Sequence, residues 1–206
     1  MRGISQHNME NPHSNYAEAR RKYSSFLTIA YQYVKELNIK DIPRSFELRH
    51  IDERALDIWE RIWKPHYKKG SPGGWNWREL LRRYRKETAK YVDLAIWSDL
   101  QLCGLAIGKL SKSNSHCSIY YVEGCPITHP LKRYILPLTI DFAETMAIFV
   151  GGNSIRFVNP DENLFAHYEK FGLKLTLNRK ALVRRKRGES LWRKEGESYY
   201  EASVSG

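Results

Sequence analysis

Tyr168 places a phenol, a group that can donate a proton, on a short predicted helix near the end of the predicted domain. The stretch RFVNPDENLFAHYEKFGLKL, residues 156–175, is typical of a strand, a turn broken by proline, a short helix and a second strand. Tyr168 comes four residues before Gly172, which ends the predicted helix. The pKa of a phenol is about 10, so the group keeps its proton at neutral pH and can donate it. Packing is the alternative, because Leu164, Tyr168 and Phe171 have the spacing of a buried helix face.

The composition predicts a globular protein with an anionic partner. Hydrophobic residues make up 42% of the 206 residues and aromatic residues 13%, which argues against a disordered chain. The net charge of +11 favours a nucleic acid, a membrane surface or a phosphate-bearing cofactor. The same charge is also explained if it serves solubility alone.

The sequence gives no sign of a metal, a disulfide framework or a membrane span. The cysteines Cys103, Cys117 and Cys125 form no CxxC pair, and with His129 they match no common zinc spacing. We therefore expect no metal and a reducing compartment. No apolar run has the length of a membrane span, and residues 1–15 contain no apolar core of a signal peptide. The expected location is cytoplasmic, without membrane attachment.

Up to residue 124, hydrophobic periodicity predicts a helix, a strand, two helices and then three strands. A helix over residues 14–37 shows apolar residues at three- and four-residue steps. The elements expected after it are a strand at Ser45–Ile51, a helix capped by Asp52, a glycine-rich loop at Lys68–Trp77, a helix from Trp77, two strands within Tyr91–Ser111, and a third strand at Cys117–Gly124.

A long helix and two more strands complete the predicted domain. Pro137 suits the first position of a helix, so we expect this helix to run from Pro137 to Gly151 after a basic loop at 125–136. Residues 1–13 are expected to be a loose N-terminus, 14–40 a helical extension and 45–185 the main domain. Residues 186–206 are predicted to be a charged tail.

This order of elements resembles the GNAT superfamily of acyl-CoA N-acyltransferases. The resemblance covers roughly residues 45–185, and its sharpest part is NPDENLFAHYEKFGL, which is similar to the last motif of that family. It implies an α/β fold: a mostly antiparallel, twisted sheet with helices on both faces and splayed fourth and fifth strands. The helix over residues 14–37 would be an extra N-terminal element.

The resemblance also implies a mechanism and a set of site residues. Pantetheine of acetyl-CoA, or of another acyl-CoA, would lie between the splayed strands, against the fourth strand at Tyr121 and Val122. The amine acceptor would attack the thioester directly, with Tyr168 giving a proton to the departing thiolate. Glu123 would accept a proton from the amine, with Glu47 a weaker candidate for that role. Glu123 has an alternative interpretation as an ordinary strand-end carboxylate.

The phosphate-binding loop departs from the family pattern. The family carries glycines just before the long helix, whereas this chain has Tyr134 and Leu136 there, followed by Pro137. Lys132 and Arg133 keep the positive charge, so we expect them, with the Tyr134 backbone, to hold the cofactor phosphates at the helix start. An ordinary solvated loop is the alternative, and then the protein would be a GNAT-like pseudoenzyme.

Further candidates border the expected cleft. Trp75 and Trp77 lie in the glycine-rich loop and are candidates to cover a substrate. The alternative for Trp77, which begins a helix, is that it only holds the loop against the core. Asn159 ends the fifth strand and is a candidate for cofactor binding. The simpler interpretation is that Asn159 and Pro160 form a turn and Asp161 caps the next helix.

A basic C-terminal segment supports a second function class. The stretch 176–194 contains eight lysines and arginines and a single acid, Glu189. Such a cluster favours phosphate backbones, so the alternative function is a catalytically inactive GNAT-like protein that binds nucleic acid or an acidic protein. The same residues would also suit an edge strand, where lysine and arginine oppose aggregation. We expect a monomer or a homodimer, and the sequence does not identify the amine acceptor.

Overall fold

The computed structural model describes residues 12–68, 73–175 and 181–185. Within them, turns of other helical types at Trp59–Trp63, Lys64–His66 and Glu162–Leu164 adjoin regular helices. The regular elements in chain order are α1 (Pro12–Asn38), β1 (Glu47–Arg49), α2 (Glu53–Ile58), α3 (Trp77–Glu87), β2 (Tyr91–Ser98), β3 (Gln101–Leu110), β4 (His116–Gly124), α4 (Ile135–Phe149), β5 (Ser154–Val158), α5 (Phe165–Glu169), β6 (Lys174–Leu175) and β7 (Ala181–Arg185).

The strands form one seven-stranded sheet in the order β1-β2-β3-β4-β5-β7-β6. Five of the six neighbouring pairs are antiparallel, and β4 and β5 are the parallel pair. A parallel pair requires a crossover connection, and α4 provides it between these two strands. The expected mostly antiparallel sheet is therefore confirmed.

Helices cover both faces of the sheet, and the alternation of β2 shows why. Leu94 and Ile96 belong to the core formed with α1 and α4, whereas Ala95 and Trp97 belong to the core formed with α2 and α3. All four side chains are fully buried. A strand covered on both sides reads as a continuous apolar run, and β2 has that composition.

Two helix starts differ from the sequence prediction. The helix α1 begins at Pro12, two residues earlier than expected, and α4 begins at Ile135, two residues before Pro137. Proline is tolerated in the first turn of a helix because the N–H groups of that turn have no partner within the helix. Asp52 caps α2 as expected, since its side chain accepts a hydrogen bond from the Ala55 N–H at 2.8 Å.

The segment that was expected to suit an edge strand forms a strand, β7, but this strand lies inside the sheet. It pairs with β5 on one side and β6 on the other, so the edge interpretation is wrong. Arg184 on β7 donates from Nε to Glu144 on α4 at 2.6 Å and from Nη1 to the Phe171 carbonyl at 2.9 Å. This arginine thus joins the sheet to α4 instead of facing an external phosphate.

Several sequence predictions concern residues outside the described part of the chain. They are the loose N-terminus up to residue 11, the basic positions from 186 onward and loop residues 69–72. Among the described residues, no helix combines the length and the apolarity needed to cross a bilayer.

Candidate active site

The parallel strands β4 and β5 part halfway along β4. His116–Ile119 pair with Ser154–Phe157, but Tyr120–Gly124 have no partner on β5, and Tyr121–Gly124 pair with β3 alone. Beyond Phe157, β5 continues beside β7, where Val158 pairs with Ala181. One edge of β4 is therefore open over its last five residues. The splayed fourth and fifth strands expected from the resemblance are confirmed.

Glu123 lies at the end of this open segment, and the loop before α3 holds its carboxylate. Oε2 accepts hydrogen bonds from the Gly74 N–H at 3.0 Å and the Trp77 indole Nε1–H at 3.1 Å, with the Trp75 N–H at 3.4 Å. Gly73 and Gly74 have φ of 91° and 72°, a left-handed backbone that glycine adopts readily. The sequence GGWNW therefore folds as a loop whose donors converge on one carboxylate oxygen.

The second carboxylate oxygen of Glu123, Oε1, is buried and accepts no hydrogen bond from any described residue. Only 4% of the residue is exposed, and this burial raises the pKa of its carboxyl. Hydrogen bonds from Trp77 and the loop backbone, together with the nearby Tyr67 hydroxyl, act in the opposite direction. The Tyr67 hydroxyl donates its proton to the Gly124 carbonyl at 3.3 Å and not to Oε1.

The two tryptophans of the loop have different positions. The Trp77 side chain is completely buried in the core between the sheet and α2 and α3, so it is not placed to cover a substrate. Trp75 is 36% exposed, and its ring meets the Tyr121 ring edge-on at 5.2 Å between centroids. Only Trp75 therefore presents a surface beside Glu123 to an incoming molecule.

Tyr168 lies on α5 and packs against β5, the strand that parts from β4. Its ring packs against Phe157 of β5 with 5.3 Å between centroids, and 8% of the residue is exposed. Burial, with a smaller effect from the negative charge of Asp161, raises the pKa of its phenol to about 12. The phenol therefore keeps its proton throughout the neutral range. The ring packs in the core, and the role of the hydroxyl as a proton donor stays a prediction.

Lys132 and Arg133 are exposed in a turn that runs directly into α4. The Tyr134 N–H donates to the Leu131 carbonyl at 2.9 Å. Tyr134 occupies the N-cap position of α4, and its side chain forms no capping hydrogen bond. The side chains of Tyr134 and Leu136 pack against the core that contains α1 and α4. The side chains that replace the family's glycines therefore turn toward the protein interior and not toward Lys132 and Arg133.

His129, in the same loop, does not add a positive charge at neutral pH. Burial, with a contribution from Lys132, lowers the pKa of its imidazole, and Nδ1 is buried without a hydrogen-bond partner among the described residues. The cationic groups at the start of α4 are then Lys132 and Arg133.

The remaining candidates have less specific surroundings. Val122 packs against the α1–α4 core, and Tyr121 faces the opposite side of the sheet with Glu123. Asn159 is exposed, with φ of 50°, at the turn that follows β5. Asp161 accepts a hydrogen bond from the Asn163 N–H at 2.9 Å, as expected for a helix cap. The turn accounts for Asn159 without a ligand.

Sequence reasoning missed two residues of this region, Tyr67 and Arg83. Tyr67 follows the helical segment after α2, and its ring lies against Gly73 and Gly74, within 3.1 Å of where a side chain on Gly73 would begin. Arg83 reaches from α3 to the Tyr121 hydroxyl at 3.2 Å. The Tyr67 bond to the Gly124 carbonyl spans 57 positions and the Arg83 bond to Tyr121 spans 38, so no local pattern could have indicated these two bonds.

The sequence matches no protein-family model, and no curated protein matches it. Three solved structures illustrate the structural similarity. The PaiA N-acetyltransferase of Thermoplasma acidophilum, in complex with coenzyme A, is 17% identical, with 69% of this chain and 99% of that chain covered and a TM-score of 0.45. The N-acetyltransferase PseH of Campylobacter jejuni is 11% identical, with 69% and 99% covered and a TM-score of 0.48. The aminoglycoside 6'-N-acetyltransferase of Enterococcus faecium is 12% identical, with 67% and 96% covered and a TM-score of 0.48.

The fold itself rests on the topology described above. A meander of β2, β3 and β4 leads through α4 to β5, and the parallel pair opens beside the start of α4. Helices cover both faces, and α1 precedes the sheet as an extra element. The chain therefore has the fold of the GNAT N-acyltransferases.

Proposed function

We propose that the protein is an acyl-CoA-dependent N-acyltransferase that transfers an acyl group, most simply acetyl, directly to an amine. The observation that carries this proposal is the opening of β4 from β5 between the exposed Lys132–Arg133 turn and the buried carboxylate of Glu123. An open strand edge offers unpaired N–H and C=O groups to an extended molecule such as pantetheine. The first N–H groups of α4 and the two cations would favour its pyrophosphate.

In the proposed reaction, Glu123 prepares the nucleophile. An ammonium acceptor loses a proton to Oε1 of Glu123, directly or through one water, and becomes a neutral amine. The raised pKa of this carboxyl brings it closer to neutrality, which makes it a stronger base than an ordinary glutamate. The three donors on Oε2 hold the carboxylate in place while Oε1 acts.

Tyr168 acts at the leaving group. The amine nitrogen forms a bond to the thioester carbon, the C–S bond breaks, and the sulfur leaves with the electron pair. The Tyr168 hydroxyl donates a hydrogen bond to that sulfur as charge develops and supplies its proton as the thiol forms. The second proton of the amine returns to the Tyr168 oxygen, directly or through water, and restores the phenol, while Glu123 gives the first proton to solvent. The products are an amide and free coenzyme A thiol, with the net release of one proton.

Binding and turnover test this proposal separately. Acetyl-CoA at about a hundred times its Kd should stabilise the fold by about 2.7 kcal/mol, which thermal unfolding detects. Release of free thiol in the presence of a panel of primary amines measures transfer. Binding without transfer to any amine would leave a coenzyme A-binding protein and remove the catalytic claim. Absence of both would remove the proposal.

A further inference from the structure

A surface beside Glu123 contains features that the reaction chemistry alone does not use. Trp75, Tyr121 and Arg83 form it, and we call it the acceptor wall. The rings of Trp75 and Tyr121 meet edge-on at 5.2 Å, and Nη2 of Arg83 donates to the Tyr121 hydroxyl at 3.2 Å. Tyr121 and Glu123 are two residues apart on one strand, so their side chains point to the same face.

Arg83 retains hydrogen-bonding capacity toward a ligand. A guanidinium has five N–H donors, and the structure uses one of them on Tyr121. Its Nε also forms an ion pair with Oε1 of Glu87 at 3.8 Å, too long for a hydrogen bond, and its Cζ lies 5.5 Å from the ring centroid of Tyr84 and 6.0 Å from that of Tyr121. The side chain is 47% exposed, so solvent and ligands can reach the guanidinium.

The charges around the acceptor wall favour a particular kind of amine. Lys109 extends this cationic region, with Nζ 5.2 Å from the ring of Tyr120, the neighbour of Tyr121. Glu79 and Glu87 lie one turn before and one turn after Arg83 on α3, both exposed, and Glu87 forms the ion pair with it. Oε1 of Glu123 is the buried carboxylate oxygen without a hydrogen-bond partner among the described residues. The second ammonium group of a polyamine bound at Glu123 would be repelled by Arg83 and Lys109.

We propose that the acceptor is an amine that also carries a carboxylate or phosphate group, which Arg83 binds while Glu123 receives the amine. This inference rests on the proposed function, because it names the acceptor of that same site. Tyr121 and Glu123 lie about 7 Å apart along the strand, so the two charged groups of the acceptor are separated by a spacer. The rings of Trp75 and Tyr121, which meet edge-on, give that spacer an apolar surface.

A set of benzylamines that differ only in the para substituent tests the inference. The substituents are carboxylate in 4-(aminomethyl)benzoate, phosphonate in the corresponding phosphonic acid, methyl in 4-methylbenzylamine, and aminomethyl in the diamine. Isothermal titration calorimetry in the presence of coenzyme A measures the binding of each. We expect the two anions to bind about five- to tenfold more tightly than the methyl compound, and the diamine to bind most weakly. The stronger binder of the two anions identifies carboxylate or phosphate.

The variant Arg83→Gln removes the charge and keeps a polar side chain, and Arg82→Gln is the matched control. Arg82 is exposed on the same helix but is one residue, and so about a quarter turn, away from the acceptor wall. We expect Arg83→Gln to abolish the preference for anions and Arg82→Gln to retain it. Equal binding of all four amines by the unmodified protein, preference for the diamine, or a preference that survives Arg83→Gln would overturn the inference.

Turnover separates this inference from the proposed function. If the anionic amines bind through Arg83 but release no thiol from acetyl-CoA, the acyltransferase proposal fails while the binding preference stands. If the methyl and carboxylate compounds cause equal release of thiol from acetyl-CoA, the acyltransferase proposal stands and the inferred preference for anionic acceptors fails. We expect kcat/KM for the four amines to follow the order of their binding. We expect Arg83→Gln to lower kcat/KM for the carboxylate compound and not for the methyl compound.

Discussion

Trp77 donates a hydrogen bond from its indole Nε1 to Oε2 of Glu123 at 3.1 Å, which joins the start of α3 to the end of β4. Both residues are buried, so this bond is shielded from water. The other carboxylate oxygen of Glu123, Oε1, accepts no hydrogen bond from the described residues. One oxygen is thus held by the protein, and the other is the one to which the proposed function assigns the proton transfer.

Replacing Glu123 by Gln should remove the base while the loop stays in place. The amide oxygen can still accept hydrogen bonds from Gly74 and Trp77, so the melting temperature should remain close to that of the unmodified protein. We expect kcat/KM to fall about a hundredfold, within the range typical of general-base removal. Glu47→Gln is the matched control, since Glu47 is exposed on β1, far along the sheet from β4. Equal losses in both variants would contradict the assignment.

The pH dependence of the rate should show the perturbed carboxyl. Burial raises the pKa of Glu123, and only its deprotonated form accepts a proton. The rate should therefore rise with pH through a value above the usual range of a glutamate, about 4.3. The acid limb of kcat/KM should be absent from the residual activity of Glu123→Gln. A limb that is unchanged in this variant would assign the titration to another group.

Replacing Tyr168 by Phe should remove the proton donor and keep the packing of the ring on Phe157. We expect kcat to fall about a hundredfold with little change in KM for the acyl-CoA, because the lost interaction forms as the thiolate departs. Tyr23→Phe, at another buried tyrosine on α1, should leave kcat unchanged. Full activity of Tyr168→Phe would assign this residue to the core alone.

Lys132 and Arg133 should govern the salt dependence of cofactor binding. Changing both to Gln should raise the Kd for coenzyme A about tenfold at low salt, and the difference should shrink as salt is added, because exposed charges are screened. A double change of Lys40 and Arg44 to Gln removes the same charge at exposed positions after α1 and serves as control. Equal effects of the two double variants would indicate a general effect of net charge.

The ion pair of Arg184 and Glu144 gives a stability test that is independent of function. Burial raises the pKa of Glu144 to about 7, against the effect of Arg184, which lowers it. The folded state therefore binds more protons than the unfolded state between about pH 4.5 and 7, so this carboxyl makes the free energy of unfolding fall as pH rises through that window. Urea denaturation of Glu144→Gln should show a flatter pH profile between pH 5 and 7 than the unmodified protein. A profile identical to that of the unmodified protein would contradict this account.

Much of this architecture could be predicted from local pattern. The cap at Asp52, the turn at Asp99, which has φ of 50°, and the strand before Asn159 each follow from a few neighbouring residues. The predicted start of α4 was wrong by about half a turn, because proline is tolerated at any position within the first turn of a helix. The hydrogen bonds on Glu123 and the contact of Arg83 with Tyr121 could not be predicted, since both form only when distant segments meet across the sheet.

The most direct test of the central claim is a calorimetric titration of the protein with coenzyme A at low salt. An opening between β4 and β5 that holds an acyl-CoA predicts saturable binding of one molecule per chain, weakened by the double change of Lys132 and Arg133 to Gln and unaffected by the double change of Lys40 and Arg44. The absence of saturable binding, or binding that both double variants weaken equally, would contradict the claim.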